Sequence, residues 1–175
     1  MTRIDYDRIK AVSYARKWAF SRNPSYYNFD KLGGDCTNFA SQCLFAGVGV
    51  MNYTPDEGWF YRSLYSRAAA WTGVEYFYNF ITENADVGPF GRVVTRDELE
   101  LGDVIQLGRE AEGYYHTLIV VGFDSDDVLV AAQTDNAYAR PLSTYTYDFS
   151  RFIKVLGIRF ETPDSYSCFA RLMEG

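Results

Sequence analysis

Residues 33–46 read GGDCTNFASQCLFA, and this stretch decides the fold. Its apolar side chains recur every three or four residues, which predicts a helix with one apolar stripe. The apolar stripe consists of Cys36, Phe39, Ala40, Cys43 and Leu44. The polar face opposite it consists of Asn38, Ser41 and Gln42. Asp35 is suited to cap the start of this helix and Gly47 to end it. The pattern therefore predicts a helix that begins at a cysteine.

Cys36 stands in the first turn of the predicted helix, where a thiol can become a nucleophile. Unpaired N–H groups and the positive end of the helix dipole stabilise a thiolate at such a position. The Gly33-Gly34 pair leaves room for a substrate carbonyl, and the Cys36 N–H could donate to the developing oxyanion. The charge of Asp35 should oppose the thiolate, so an imidazole is needed for activation. His116 is the only histidine of the chain.

The spacing of apolar residues divides the chain into a helical part and a strand part. Further helices are predicted over residues 6–21 and 74–84. From about residue 103 the segments are short, β-branched and bounded by turn residues, which is typical of strands. Strands are predicted over residues 103–107, 116–123, 128–134 and 154–160. We therefore expect an α+β fold, with N-terminal helices packed on an antiparallel sheet, in one domain over residues 1–175.

A turn rich in aspartate joins the strand of His116 to the next strand. If this turn forms the centre of a regular hairpin, His116 lies opposite Asp135, and Gln133 shares the face of Asp135. Either side chain could then fix the tautomer and orientation of the imidazole, as the third member of a catalytic triad does. A one-residue bulge would instead bring Thr134 or Asn136 opposite the imidazole. Gln133 and Asp135 could also simply cap the end of a strand.

The composition excludes several classes of function. The chain has 175 residues, 47% of them hydrophobic, a formal charge of −6 and a pI near 4.8. An acidic chain without a basic run is a poor match for nucleic acid or an anionic membrane, which recruit clustered Lys and Arg. One histidine and three dispersed cysteines do not make an ordinary zinc site, so we expect no metal and no cofactor. The absence of a GxSxG elbow argues against a serine hydrolase.

The cysteines and the chain start give limited information about the compartment. Cys36, Cys43 and Cys168 form no CxxC pair and no even disulfide framework, so at least one free thiol is expected. Cys43 and Cys168 are expected to be small core residues. No apolar run is long enough to cross a bilayer, and the start MTRIDYDRIK lacks the apolar core of a signal peptide. The chain is therefore either cytoplasmic or a domain separated from its export signal.

Three motifs stand out: DCTNFASQC at residues 35–43, GDVIQ at residues 102–106 and HTLIV at residues 116–120. Together they resemble the amidase domain family of Gram-positive bacteria, a relative of the CHAP-type and other papain-like cell-wall amidases. The resemblance covers about residues 6–160, and DCTNFASQC is its specific part, whereas a Gly-Asp pair before a strand is weak on its own. It also takes in Tyr14-Ala15, Asn23-Pro24, Trp71-Thr72 and Arg140-Pro141-Leu142.

The resemblance implies a Cys-His amide hydrolase of papain-like fold, with Cys36 as nucleophile and His116 as base. In CHAP-type domains a Glu and an Asn stand two residues apart on the strand after the histidine, which corresponds to Gln133 and Asp135. The amidase family often has a histidine where this chain has Gln133, so the third catalytic position is open between these two residues. Tyr27, upstream of the nucleophile, is a candidate oxyanion donor, as an upstream polar residue is in papain-like enzymes, with simple packing as its alternative.

The predicted function is cysteine-dependent hydrolysis of an amide bond through an acyl-enzyme, with a peptide or peptidoglycan stem as substrate. Asp35 and Tyr27 are the candidate residues at the substrate and the oxyanion. The resemblance implies an extracellular or cell-wall location. The alternative is a papain-like binding module that kept the groove and lost turnover, which the replacement of a histidine by Gln133 favours.

Overall fold

The computed structural model describes residues 1–161, and within that range four helices and nine strands form an α+β fold. The helices are α1 (Arg8–Trp18), α2 (Cys36–Val48), α3 (Ala69–Thr72) and α4 (Val74–Glu83). The strands are β1 (Thr2–Ile4), β2 (Tyr61–Ser63), β3 (Ser66–Arg67), β4 (Gly88–Val94), β5 (Val104–Arg109), β6 (Gly113–Phe123), β7 (Val128–Ala132), β8 (Ala137–Pro141) and β9 (Phe149–Phe160). Most of the sheet follows the helices in the chain, as the sequence predicts.

Seven of the strands form one antiparallel sheet in the order β1-β9-β5-β6-β7-β8, with β4 also paired to β9. Strands β2 and β3 pair separately as a short hairpin. The four predicted strands correspond to β5, β6, β7 and β9. The sequence pattern does not predict β1, β4 and β8, because β1 has three residues, β4 starts Gly88-Pro89 and β8 ends at Pro141. Glycine and proline are turn signals in a sequence.

Side chains fill the space on both faces of the sheet. The cluster on the helical side joins α1, α2 and α4 to the sheet and includes Phe39, Leu44, Phe77, Val104 and Ile119. The cluster on the other face includes Ile105, Leu107, Leu118, Val120 and Val130. Alternate residues of β5 and β6 therefore belong to opposite clusters, as the two-residue period of a strand requires. His116 lies in the first part of β6, which is not paired with β7.

Helix α2 is buried on its polar face as well as on its apolar face. Its polar side chains each accept a hydrogen bond from an aromatic residue: Asn38 from Trp71, Ser41 from Trp59 and Gln42 from Tyr14. The donor–acceptor distances are 2.9, 3.0 and 2.8 Å. A buried amide or hydroxyl is tolerated when it is hydrogen-bonded. The polar face of α2 is therefore packed against the core tryptophans Trp59 and Trp71.

Close contact between α1 and α2 depends on small residues. Ala11 and Ala15 of α1 have no exposed surface, and a Cβ at Gly47 of α2 would overlap the ring of Tyr6. The prediction that Gly47 ends the helix is wrong, because Gly47 lies inside it and permits this approach. The helix ends instead at Gly49, whose φ of 70° is left-handed and suits glycine.

The hairpin of β6 and β7 has a different register from the predicted one. A one-residue bulge follows Val120, and the ladder ends with the pair Ile119 and Ala131. The predicted pairing of His116 with Asp135 is therefore wrong: strand β7 stops at Ala132, and Asp135 belongs to the turn between β7 and β8. Beyond the last pair the two chain segments are not paired, and the start of α2 bonds to both of them, at Thr117 of β6 and at Thr134 after β7. We call this place the opening between β6 and β7.

The Gly102-Asp103 motif fastens the sheet to the first helix. The carboxylate of Asp103 is fully buried and accepts hydrogen bonds from Arg8 Nη1 at 2.6 Å, Val155 N at 3.0 Å and Glu100 N at 2.8 Å. Burial raises the pKa of Asp103, whereas its hydrogen bonds and the charge of Arg8 oppose this shift. The contacts of this motif residue are therefore structural and do not include the cysteine.

We expect Asp103→Ala to lower the free energy of unfolding by about 2–4 kcal/mol, because two N–H groups lose their acceptor and the Arg8 guanidinium loses one of its partners. Urea denaturation followed by circular dichroism measures the change. The exposed Asp97 provides the matched control, and Asp97→Ala should alter stability by less than about 0.5 kcal/mol. Equal stability of the two variants would contradict this role of Asp103.

Candidate active site

The start of α2 lies in the opening between β6 and β7. Cys36 Sγ is 4.0 Å from the carbonyl oxygen of Tyr115, and the Thr117 N–H also points toward the thiol. The hydroxyls of Thr37 and Thr117 form a hydrogen bond of 2.9 Å. These contacts fall on both sides of His116 along the strand. The structure therefore brings the predicted nucleophile against the backbone of the strand segment that carries the imidazole.

Burial dominates the electrostatics of the thiol. Cys36 is 7% exposed, and this burial raises the pKa of its thiol above the ordinary cysteine value. The Thr117 N–H, the Thr37 hydroxyl and the first N–H groups of α2 act in the opposite direction and lower the pKa. The helix start therefore favours the thiolate, as predicted, but burial outweighs it. The free protein holds Cys36 as a neutral thiol near pH 7.

Asp35 does not have the role that the sequence predicts. Its side chain makes no capping bond to α2 and has no exposed surface, so it cannot touch a substrate. Its Oδ1 accepts from Phe29 N at 3.0 Å and from Asn38 Nδ2 at 2.8 Å, and its Oδ2 pairs with Arg22 Nε at 2.9 Å. Burial raises the pKa of this carboxyl, and these partners lower it. The carboxylate therefore bonds to these partners, and no side chain caps the first turn of α2.

Arg22 is a residue beside the site that the sequence does not predict. Besides Asp35, its guanidinium binds Asp30 Oδ2 at 2.9 Å and Asn136 Oδ1 at 3.0 Å. It thus joins the segment after α1, the segment before α2 and the turn after β7. Nothing in the sequence signals this, because an arginine before an Asn-Pro pair looks like an ordinary surface residue.

Thr134 is a second residue that sequence reasoning did not assign to the nucleophile. Its Oγ1 accepts a hydrogen bond from Asp35 N at 2.6 Å. Its φ is 78°, a left-handed value that is rare for a β-branched residue and costs about 1–3 kcal/mol. The approach is close, since a Cβ on Gly34 would lie 3.3 Å from the Thr134 hydroxyl. Thr134 therefore connects the turn after β7 to the start of α2.

His116 is 8% exposed, and its ring packs between two tyrosines. The ring centroids are 6.0 Å from Tyr115 and 5.9 Å from Tyr145. Its Nε2 is buried and has no hydrogen-bond partner among residues 1–161. Burial lowers the pKa of His116 to about 4, while the charge of Asp135 raises it and the charge of Arg140 lowers it. The imidazole is therefore neutral at pH 7 and able to accept a proton.

The two candidates for the third position have different surroundings. Gln133 is buried, and its Nε2 donates to the carbonyl oxygens of Trp18 at 2.7 Å and Ser21 at 2.8 Å. It thus binds the end of α1, and no hydrogen bond joins it to the Nε2 of His116. Asp135 is exposed and acts on His116 through its charge alone. Neither side chain fixes the imidazole through Nε2 in this structure.

Tyr27 lies in the segment before α2 and is held by its main chain. Its N–H donates to the Tyr61 hydroxyl at 2.9 Å, and its carbonyl accepts from Asn38 Nδ2 at 3.1 Å. Its side chain is 41% exposed, with the ring edge against Phe29. The packing alternative and a role toward substrate are both compatible with this partly exposed position.

Cys43 is the second cysteine among the described residues 1–161. Cys43 has no exposed surface, and burial raises the pKa of its thiol well above the ordinary value, so the prediction of a core residue is confirmed. Cys168 lies outside the described residues. Residues 1–161 contain no group of three or more His, Cys, Asp or Glu side chains placed to hold a metal ion. No helix in this part of the chain has the length and apolarity to cross a bilayer.

Comparisons with known proteins agree with the motif resemblance. Residues 5–156 match the model of the family described as "putative amidase domain". The uncharacterized protein YhbB of Bacillus subtilis (strain 168) is 40% identical over 143 residues, which cover 78% of this chain and 44% of the relative. The chain thus spans less than half of that protein's length. No solved structure matches. The family match and this identity show that the chain belongs to the amidase domain family.

Proposed function

We propose that this protein is a cysteine-dependent amide hydrolase of papain-like fold, with Cys36 as nucleophile and His116 as general base. The observation that carries the proposal is the position of the Cys36 thiol. It lies at an uncapped helix start, between the backbone groups that flank the only imidazole of the chain. Membership in the amidase domain family supports an amide as the bond that is cleaved.

The reaction needs one proton carrier, which the neutral imidazole of His116 provides. His116 accepts the thiol proton as the sulfur attacks the substrate carbonyl, and it then gives this proton to the leaving amine. A water molecule hydrolyses the resulting thioester and regenerates the thiol. Because both groups are neutral in the free protein, the proton moves during attack rather than before it. The hydrogen bonds of such a pair are often long in a free enzyme and shorten with substrate.

Two donors are proposed for the oxyanion. The Cys36 N–H belongs to the open first turn of α2, beside the attacking sulfur. Tyr27 supplies the second donor through its partly exposed hydroxyl, since its main chain is fixed to Asn38 of the same helix turn. A Tyr27→Phe variant with full kcat would exclude this second donor.

The proposed substrate class is a peptide, in particular the peptide stem of peptidoglycan. The resemblance to cell-wall amidases over the DCTNFASQC stretch supports this choice, and it also supports an extracellular or cell-wall location. The net charge of −6 favours neither nucleic acid nor an anionic membrane as a partner. Digestion of defined muropeptides, followed by mass spectrometry, identifies the cleaved bond.

The alternative is a papain-like binding module with weak or absent turnover. The unpartnered Nε2 of His116 favours it, because an unfixed imidazole is a poorer base. A muropeptide that binds wild-type protein tightly, but is recovered intact after long incubation, would support the module and exclude the hydrolase.

Cys36→Ala should reduce hydrolysis of a muropeptide substrate by about 10³-fold or more, because the nucleophile is lost. Stability should change by less than about 1 kcal/mol, since alanine is accepted at a helix start. Cys43→Ala is the matched control: it should keep kcat and lower the free energy of unfolding by about 1–2 kcal/mol through a small cavity. Retained activity in folded Cys36→Ala would refute the assignment of the nucleophile.

The pH profile of kcat/KM should have its acid limb near pH 4, well below the ordinary histidine value. His116 must be neutral to accept the thiol proton, and burial lowers its pKa to about 4. Activity is therefore present above this value and is lost as pH falls through it. An acid limb at or above pH 6.5, the ordinary histidine pKa, would contradict the buried neutral base.

Asp135→Asn should reduce kcat by about 3- to 10-fold, because a nearby charge that stabilises the imidazolium is removed. The acid limb should move to lower pH, since this charge raises the pKa of His116. High salt should shrink the difference from wild type, because screening weakens a charge effect. Gln133→Ala should instead lower stability by about 1–3 kcal/mol, because two carbonyls lose their donor. A larger loss of kcat in Gln133→Ala than in Asp135→Asn would reverse the two roles.

A further inference from the structure

We propose that Thr134 is a positioning residue that fixes the start of α2, and with it the Cys36 thiol, against the sheet. Two hydrogen bonds, to the hydroxyls of Thr117 and Thr134, hold this helix start in the opening between β6 and β7. Thr37 Oγ1 bonds Thr117 Oγ1 of β6 at 2.9 Å, and Thr134 Oγ1, just after β7, accepts from Asp35 N at 2.6 Å. We call these two hydrogen bonds the clamp. Its catalytic consequence rests on the proposed function.

The strained backbone of Thr134 indicates that a threonine stands at this position because its hydroxyl is needed. Thr134 is exposed and has a φ of 78°, a conformation that glycine or asparagine adopts at much lower cost. A turn between β7 and β8 therefore does not require threonine. Strained residues persist where the surroundings hold them, and they are concentrated at functional sites.

The turn around Thr134 is fixed on both sides of this residue. Gln133 is bonded to two carbonyl oxygens at the end of α1, and Asn136 is bonded to Arg22, which also pairs with Asp35. These anchors keep the hydroxyl of Thr134 in place and give the strained conformation its support. Position 34 must be glycine for the same approach, because its φ is 106° and the Thr134 hydroxyl lies close to the site of a Cβ.

The hydrogen bond from Asp35 N to Thr134 Oγ1 acts on Cys36 through one residue, Asp35. Asp35 is the N-cap position of α2, so its N–H sets where the first turn begins. A shift of this residue moves the Cys36 sulfur relative to the Thr117 N–H and to His116. A displacement of about 1 Å at a reacting atom can cost about 100-fold in rate. Loss of the clamp should therefore lower kcat and leave KM nearly unchanged.

Three variants separate positioning from simple stability. Thr134→Ser keeps the hydroxyl, Thr134→Val removes it at similar volume, and Thr134→Gly removes it while relieving the left-handed strain. We expect Ser to retain kcat within about twofold, and Val and Gly to lose at least about tenfold in kcat, with KM changed less than about twofold. Gly should be at least as stable as Val in urea denaturation. Thr2→Val, on the distant β1, is the control and should match wild type.

Hydrogen exchange of the Asp35 N–H, followed by NMR, gives a readout that does not need activity. This amide should be protected in wild type and in Thr134→Ser, and should lose protection in Thr134→Val and Thr134→Gly. The inference would be overturned if kcat were unchanged in Thr134→Gly and Thr134→Val. It would also be overturned if kcat followed stability, so that the more stable Thr134→Gly variant had the kcat of wild type. If wild type hydrolyses nothing, the proposed function fails, and exchange at Asp35 alone decides whether Thr134 holds the helix start.

Discussion

The ion pair between Arg22 and the buried carboxylate of Asp35 is the interaction on which the candidate site depends. A carboxylate immediately before a nucleophilic cysteine would normally cap the helix and oppose a thiolate. Here Asp35 turns inward to Arg22, Phe29 N and Asn38, so its charge is compensated away from the helix start. The first-turn N–H groups are left open as a consequence. A buried ion pair gives little net stability. Here the Arg22 guanidinium also bonds Asn136, so it joins three segments of the chain.

Burial, more than nearby charge, decides the protonation of the two proposed catalytic groups. It raises the pKa of Cys36 and lowers that of His116 to about 4. These shifts disfavour a preformed thiolate–imidazolium pair, and in the proposed mechanism proton transfer is therefore part of the attack on substrate. The charge of Asp135, which is exposed, raises the pKa of the imidazole and so opposes the effect of burial. The same opening of the sheet that admits α2 thus also creates the neutral, poorly solvated environment in which this chemistry would take place.

Local patterns in the sequence predict the parts of the structure that local chemistry determines. The three-to-four spacing predicts α2 and its start at Cys36, and the β-branched segments predict β5, β6, β7 and β9. Contacts distant in sequence determine the rest. Gly47 has the sequence signal of a helix end, but the fold packs Tyr6 against it inside the helix. The hairpin pattern leaves the register open between a regular pairing and a bulge, and the fold has the bulge after Val120. Arg22 and Thr134 become interpretable only when their partners are brought together by the fold.

The central claim is that Cys36 is a nucleophile and Cys43 an inert core thiol. Acylation by an activated ester such as p-nitrophenyl acetate tests it most directly, with acid quenching, proteolysis and mass spectrometry to locate the acetyl group. The account predicts a thioester on Cys36, none on Cys43 of the folded protein, and a much slower acylation of Cys36 in His116→Ala. Acylation at another side chain, with Cys36 unmodified, would contradict it.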